Sequence, residues 1–273
     1  MPPSPSTAER ILIALDVPSL DEADSLLRRL DGILTGCKIG SQLFTAAGPA
    51  AIETARKRGF RVFLDLKFHD IPNTVGAAVR EATRLGVFML NIHASGGLAM
   101  ARAAADAATK AASDFAIPRP LCLGVTVLTS LDRRALQREV GVPTSIESHV
   151  LHLAALAREA GLDGCVASPQ EIALLRLAMG PQWVIVTPGI RPGERATEPS
   201  PLLPSGGVER EAEPVRMPDR QSPLLQNDDQ VRVATPRRAR AAGADYLVVG
   251  RPISAAKDPA AAAAAIVAEV DGA

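Results

Sequence analysis

Aromatic residues are nearly missing from this chain: they make up 3 % of 273 residues, as one Trp, one Tyr and six Phe. A core must therefore be built from Ala, Val, Leu and Ile, and stacking platforms for single-stranded nucleic acid are not to be expected. Charge of one sign is missing too. Thirty Lys and Arg face thirty Asp and Glu, for a net charge of zero, which argues against the basic stripe of a nucleic-acid surface. No apolar run approaches the length of a membrane span. Met1 to Glu9 is rich in Pro and Ser without an apolar centre, so residues 1–9 are expected to be a flexible tail, not a secretion signal. Cysteine is scarce: Cys37, Cys122 and Cys165 lie far apart, each in an apolar run and none at zinc spacing. Buried, reduced thiols of a cytoplasmic protein are the plain expectation.

What is present is a rhythm. Short apolar runs recur at Ile11–Leu15, Gly36–Gly40, Arg61–Leu66, Val87–Ile92, Leu121–Val127, Gly164–Ala167, Val184–Val186 and Tyr246–Val249. They are apolar on both faces, as parallel strands buried between layers are. Helical patterns fill the gaps: Leu20–Leu30, Gly48–Arg58, Asn73–Leu85 with Asn73 as N-cap, Leu98–Ser113, and Ile146–Ala160 ending at Gly161. Ser168-Pro169, Thr235-Pro236 and Asp258-Pro259 each read as an N-cap followed by Pro in the first turn. Eight strands alternating with helices over roughly 250 residues is the count of a (β/α)₈ TIM barrel. An open doubly wound sheet is the rival, but it usually carries a Gly-rich turn after its first strand; here that strand runs into Asp16-Val17-Pro18. The reading is one α/β domain over 10–273. An inserted loop at about 193–227 stands out as rich in Pro, Ser, Glu and Arg with little apolar periodicity.

A barrel places functional groups just past the C-terminal ends of its strands. The residues there are Asp16, Lys38, Asp65 with Lys67, His93, Thr129, Ser168, Arg191, and Gly250 with Arg251. The densest stretch is Asp65-Leu66-Lys67-Phe68-His69-Asp70-Ile71-Pro72-Asn73-Thr74. Asp65 and Lys67, two apart on a strand, point the same way. Lys38 ends the adjacent strand, and Asp70 lies in the following turn, where it can curl back or reach a neighbouring chain. Charges at the ends of buried strands are costly unless they are used.

These motifs resemble the orotidine 5′-phosphate decarboxylase family. The likeness runs from Leu15-Asp16-Val17 and Lys38-Ile39-Gly40 through Asp65 to Val75, Asn91-Ile92-His93, Val125 to Ser130, Ser168 to Glu171, Thr187 to Pro192 and Asp229-Gln230 to Tyr246 through Pro252. It implies cofactor-free decarboxylation of orotidine 5′-monophosphate to uridine 5′-monophosphate, the last step of pyrimidine nucleotide synthesis, with no metal. By resemblance, Lys67 is the proton donor, and Asp65 and Asp70 flank the substrate carboxylate. Lys38 and Asp16 hold the ribose, and Thr129 meets the pyrimidine. Arg191, Gln230, Gly250 and Arg251 grip the phosphate, with backbone N–H groups at the start of the last helix. The likeness also implies a homodimer in which Asp70 and Thr74 come from the second subunit.

The chain departs from the family pattern between Arg191 and Gln230, where 38 residues replace a short loop; Gln221 and Gln226 lie close enough to compete with Gln230. The insert is expected to loop outward and leave the grip intact. His69 and His93 read as structural. Two rivals stand beside the main reading. One is a magnesium-dependent sugar-phosphate lyase that shares Asp-x-Lys-x-x-Asp, of the keto-gulonate 6-phosphate decarboxylase or hexulose-phosphate synthase type. The other is a non-catalytic nucleotide-binding barrel.

Overall fold

The computed structural model describes residues 6–193 and 232–272. Eight parallel strands close into a barrel in chain order, the first pairing with the last. They are β1 (Ile11–Ala14), β2 (Gly36–Gly40), β3 (Arg61–Phe68), β4 (Met89–His93), β5 (Leu121–Val125), β6 (Gly164–Val166), β7 (Val184–Thr187) and β8 (Tyr246–Val249). Strand alternation sorts the side chains into two cores. Leu12, Ala14, Phe63, Met89, Leu123, Val186, Tyr246 and Val248 fill the barrel interior. Ile11, Ile13, Leu15, Ile39, Leu64, Leu90, Ile185 and Leu247 point outward against the helices. Fully burying one such aliphatic side chain contributes about 1.5–3 kcal/mol. The scarcity of aromatics is met by alanine: helix Leu98–Asp114 buries Ala101, Ala104, Ala105, Ala108 and Ala111. On its flank Ala103 and Ala107 lie against helix Pro72–Arg84, whose Gly76 sits where a Cβ would lie 3.5 Å from the Ala103 carbonyl.

The structure corrects several expectations. The tail does not extend to residue 9. Thr7–Arg10 is a helical turn with a capping box, in which the Ser6 hydroxyl accepts from Glu9 N–H and the Glu9 carboxylate accepts from Ser6 N–H. Asn73 is not an N-cap: the helix starts at Pro72 with Ile71 in the cap position and no side-chain cap, because Pro supplies a ready-made first-turn φ. Helices Ser41–Ala47 and Arg133–Arg138 were not expected. Gly250 opens a separate turn, Arg251–Ser254, and not the last helix, Pro259–Asp271, which Asp258 caps. Apart from Gly193, the expected insert lies outside the described residues, as does Gln230.

Candidate active site

At the C-terminal mouth of the barrel lies a cavity of about 440 Å³. Its lining changes character around the rim. Strands β1 to β3 supply Asp16, Lys38, Asp65 and Lys67; β5 and β6 supply Val127, Leu128, Thr129, Val166 and Ala167; the ends of β7 and β8 supply Gly189, Arg191, Gly250 and Arg251. A charged arc, an apolar arc and a cationic arc thus surround one space of the size that takes a nucleotide-like ligand.

Local backbone irregularity builds the charged arc. On β3 the register with β4 shifts: Leu64 pairs with Leu90, yet Phe68 pairs with Ile92. The extra residues take Asp65 to Lys67 out of the pairing with β4, while Asp65 keeps its pairing with Gly40 of β2. Lys67 takes a left-handed backbone, φ 51°, which costs an L-residue about 1–2 kcal/mol. Buried Asn91 on β4 holds this conformation. Its Oδ1 accepts the Lys67 N–H at 2.8 Å, and its Nδ2 donates to Asp65 Oδ1 at 2.7 Å. The two partners fix the amide's orientation, since a carboxylate only accepts and a peptide N–H only donates.

Asp65 is the hub. Lys67 Nζ lies 2.8 Å from its Oδ1 and Lys38 Nζ 3.5 Å from its Oδ2. Lys38 also donates to Asp16 Oδ1 at 2.9 Å. Lys38 reaches across because its neighbour opposite Asp65 is Gly40; a Cβ there would fall 2.9 Å from Lys38 Nζ. Burial alone would push the Lys38 ammonium down, but Asp65 and then Asp16 outweigh it and hold its pKa above the usual lysine value. His93 goes the other way, lowered by burial first and then by His69, whose ring lies 5.4 Å away, and by Lys67.

A family model described as Orotidine 5'-phosphate decarboxylase / HUMPS family matches residues 9–214 and 215–266. The chain belongs to that family. A protein of Moorella thermoacetica named orotidine 5'-phosphate decarboxylase is 50 % identical over 263 residues, covering 96 % of this chain and 92 % of that one. One of the same name from Nitrosococcus oceani is 46 % identical over 261 residues, covering 96 % and 97 %. Among solved structures, orotidine 5'-phosphate decarboxylase from Lactobacillus acidophilus matches with a TM-score of 0.76 at 32 % identity, covering 96 % of this chain and 99 % of that one.

In this member of the decarboxylase family, the cavity brings together Asp16, Lys38, Asp65, Lys67, Thr129, Arg191, Gly250 and Arg251. It does not bring in Asp70 or Thr74. Both are exposed on the outside of the mouth, and Asp70 Oδ1 accepts the Ile71 N–H at 2.6 Å. The alternating Lys–Asp–Lys–Asp set is therefore a Lys–Asp–Lys set with Asp16 within one chain. A Cβ at Gly250 would meet only ordinary contacts with Ala14 and Asp16. Sequence reasoning missed Asn91 as a support. The signal was a lone amide in the apolar run Met89-Leu90-Asn91-Ile92, on the inward parity of Met89. Among the described residues, no group of three or more His, Cys, Asp or Glu is arranged to hold a metal ion. Cys37, Cys122 and Cys165 are buried, which pushes each thiol up to about 12 and leaves it unreactive.

Proposed function

We propose that the protein decarboxylates orotidine 5′-monophosphate to uridine 5′-monophosphate and carbon dioxide without a cofactor. The observation that carries this reading is the Lys67 ammonium, held in the cavity at 2.8 Å from Asp65 by a backbone that Asn91 fixes. The substrate's carboxylate would lie beside Asp65. The C6–carboxylate bond breaks, its electron pair stays on C6, and carbon dioxide leaves. Lys67 stabilises the developing carbanion and then gives C6 a proton, ending as a neutral amine that solvent reprotonates.

Magnitudes limit what repulsion between carboxylates contributes. Two like charges about 4 Å apart repel by roughly 4 kcal/mol at an effective dielectric near 20. Enzymatic accelerations need about 8–23 kcal/mol. Lys67 and binding energy from the rest of the nucleotide must therefore supply the larger part. In this reading Lys38 and Asp16 hold the ribose hydroxyls, Thr129 meets the base, and Arg191, Arg251 and the backbone at Gly250 take the phosphate. The mouth after β7 and β8 is a usual phosphate site in such barrels. Gln230 is proposed as a further phosphate contact on its sequence pattern alone.

Asp70 and Thr74 are proposed to complete the site of a second copy. Both are exposed beside Ile71, itself 65 % exposed, and a dimer would cover them. A cytoplasmic location is proposed from the three unpaired thiols; among the described residues no helix is long and apolar enough to cross a membrane. The test is loss of orotate absorbance when wild-type protein meets orotidine 5′-monophosphate in excess EDTA. Turnover is expected. No turnover until magnesium and a sugar phosphate replace the nucleotide would move the assignment to the magnesium-dependent lyases.

A further inference from the structure

Behind the cavity wall lies an ion pair that the proposed chemistry does not use. Arg232 and Glu171 are 4 % and 3 % exposed, and Arg232 Nη1 is bonded to Glu171 Oε1. The other arm of the guanidinium, Nη2, donates to the carbonyls of Leu128 at 3.0 Å and Val127 at 3.4 Å. Two residues on, Ala234 N–H donates to the Gly189 carbonyl at 3.1 Å and the Ala234 carbonyl accepts the Arg191 N–H at 3.0 Å. The Arg232 side chain thus joins the loops that follow β5 and β6, and the backbone two residues on joins the loop that follows β7. Each of these loops lines the cavity: Val127 to Thr129, Ala167, and Gly189 with Arg191.

Stability does not account for this arrangement. Glu171 Oε2 and Arg232 Nε are buried with no hydrogen-bond partner among the described residues. Burial raises the Glu171 carboxyl above the usual range despite the opposing Arg232 charge. A buried pair with unsatisfied atoms is commonly no more stable than apolar residues of similar volume. Such residues could not, however, donate to the carbonyls of Val127 and Leu128. Arg232 can, because its planar fork spans several acceptors at once.

We propose that Arg232, set by Glu171, is a positioning residue that fixes the base-facing loop after β5 at a set distance from the phosphate-facing loop after β7. It rests on the reading of the cavity given above. Misplacing bound groups by about 1 Å can cost about 10²-fold in rate, so a support outside the cavity can govern turnover without touching substrate.

The test replaces both partners, Arg232→Met with Glu171→Leu, so that no charge is left buried alone. Thermal midpoint, kcat, KM and the affinity for uridine 5′-monophosphate are measured on wild type and variant. The expected result is a folded variant with nucleotide affinity weaker by about tenfold and kcat/KM lower by about 10²-fold. A folded double variant with wild-type kcat, KM and affinity overturns the proposal. If the double variant does not fold, Arg232→Lys decides, since it keeps a charge beside Glu171 but cannot span both carbonyls. A raised KM at the wild-type midpoint supports the proposal and unchanged constants overturn it. Failure of the underlying reading looks different: wild type itself neither turns over the nucleotide nor binds the product.

Discussion

The two ends of the barrel both carry paired charges, but they spend them differently. At the N-terminal end, Asp163 and Asp245 stand just before β6 and β8. Asp163 pairs with Arg119 at 2.8 Å and accepts the Cys122 N–H; Asp245 pairs with Arg176 at 2.7 Å and accepts the Ile185 N–H. Arg176 also donates to the carbonyls of Gly180, Trp183 and Gly243. These side chains close backbone groups that the ends of the strands would otherwise leave open. At the C-terminal end, Lys38, Asp65 and Lys67 line the cavity; Gly40 leaves room for the Lys38 side chain, and Asn91 ties the Asp65 carboxylate to the Lys67 N–H. At the N-terminal end the charges of Arg119, Asp163, Arg176 and Asp245 end on backbone and hold the fold together; those of Lys38, Asp65 and Lys67 line the cavity, where a ligand can meet them.

Four variants break or sharpen this contrast, from the largest effect to the smallest. Lys67→Ala should lower kcat/KM for orotidine 5′-monophosphate by about 10⁴-fold, since both the proton donor and the cation beside the carbanion are lost. Asn91→Ala should lower kcat by about 10²-fold with a smaller change in KM, because Asp65 and the left-handed Lys67 lose their common anchor; steady-state kinetics separates the two constants. Arg176→Ala works at the other end. It removes the guanidinium from three carbonyls and from Asp245, and should cost about 2–3 kcal/mol, less than a fully buried pair because both side chains are partly exposed. That is a fall in midpoint of roughly 5–10 °C, with kcat per folded molecule unchanged.

The fourth effect is a pH slope. The folded-state pKa of His93 is lowered by burial, then by His69 and Lys67, with Asp65 opposing. As pH falls below about 6.5, an unfolded histidine takes up its proton first, so the unfolded state is favoured and stability declines until the folded-state pKa is reached. Denaturant unfolding at pH 7.5 and 5.5 should show a smaller loss for His93→Gln than for wild type. An equal loss in both proteins would place the slope elsewhere.

Much of the fold was legible because both-face apolar runs and Pro-marked helix starts are local signals. Gly36–Gly40, Leu20–Leu30 and Tyr246–Val249 carry the expected bounds. Helix Ser41–Ala47 was hidden because it follows β2 with Gly40 in the cap position and no side-chain cap to announce it. The charged side chains of the cavity could be read because each falls in the C-terminal part of a strand or just past it, although Lys38 sits in the middle of β2 and not at its end as expected. Three features could not. The register shift on β3 depends on β4, the role of Asn91 depends on the backbone of Lys67, and the Arg232–Glu171 pair joins positions 61 residues apart. Each is a tertiary fact with a weak local trace.

The most direct test of the contrast between the two ends is a paired assay of Lys67→Ala, with decarboxylation of orotidine 5′-monophosphate and thermal midpoint measured on the same samples. Loss of turnover with an unchanged or raised midpoint is the predicted result, since the side chain serves the cavity and not the fold. Retained turnover, or a midpoint that falls as far as that of Arg176→Ala, would contradict it.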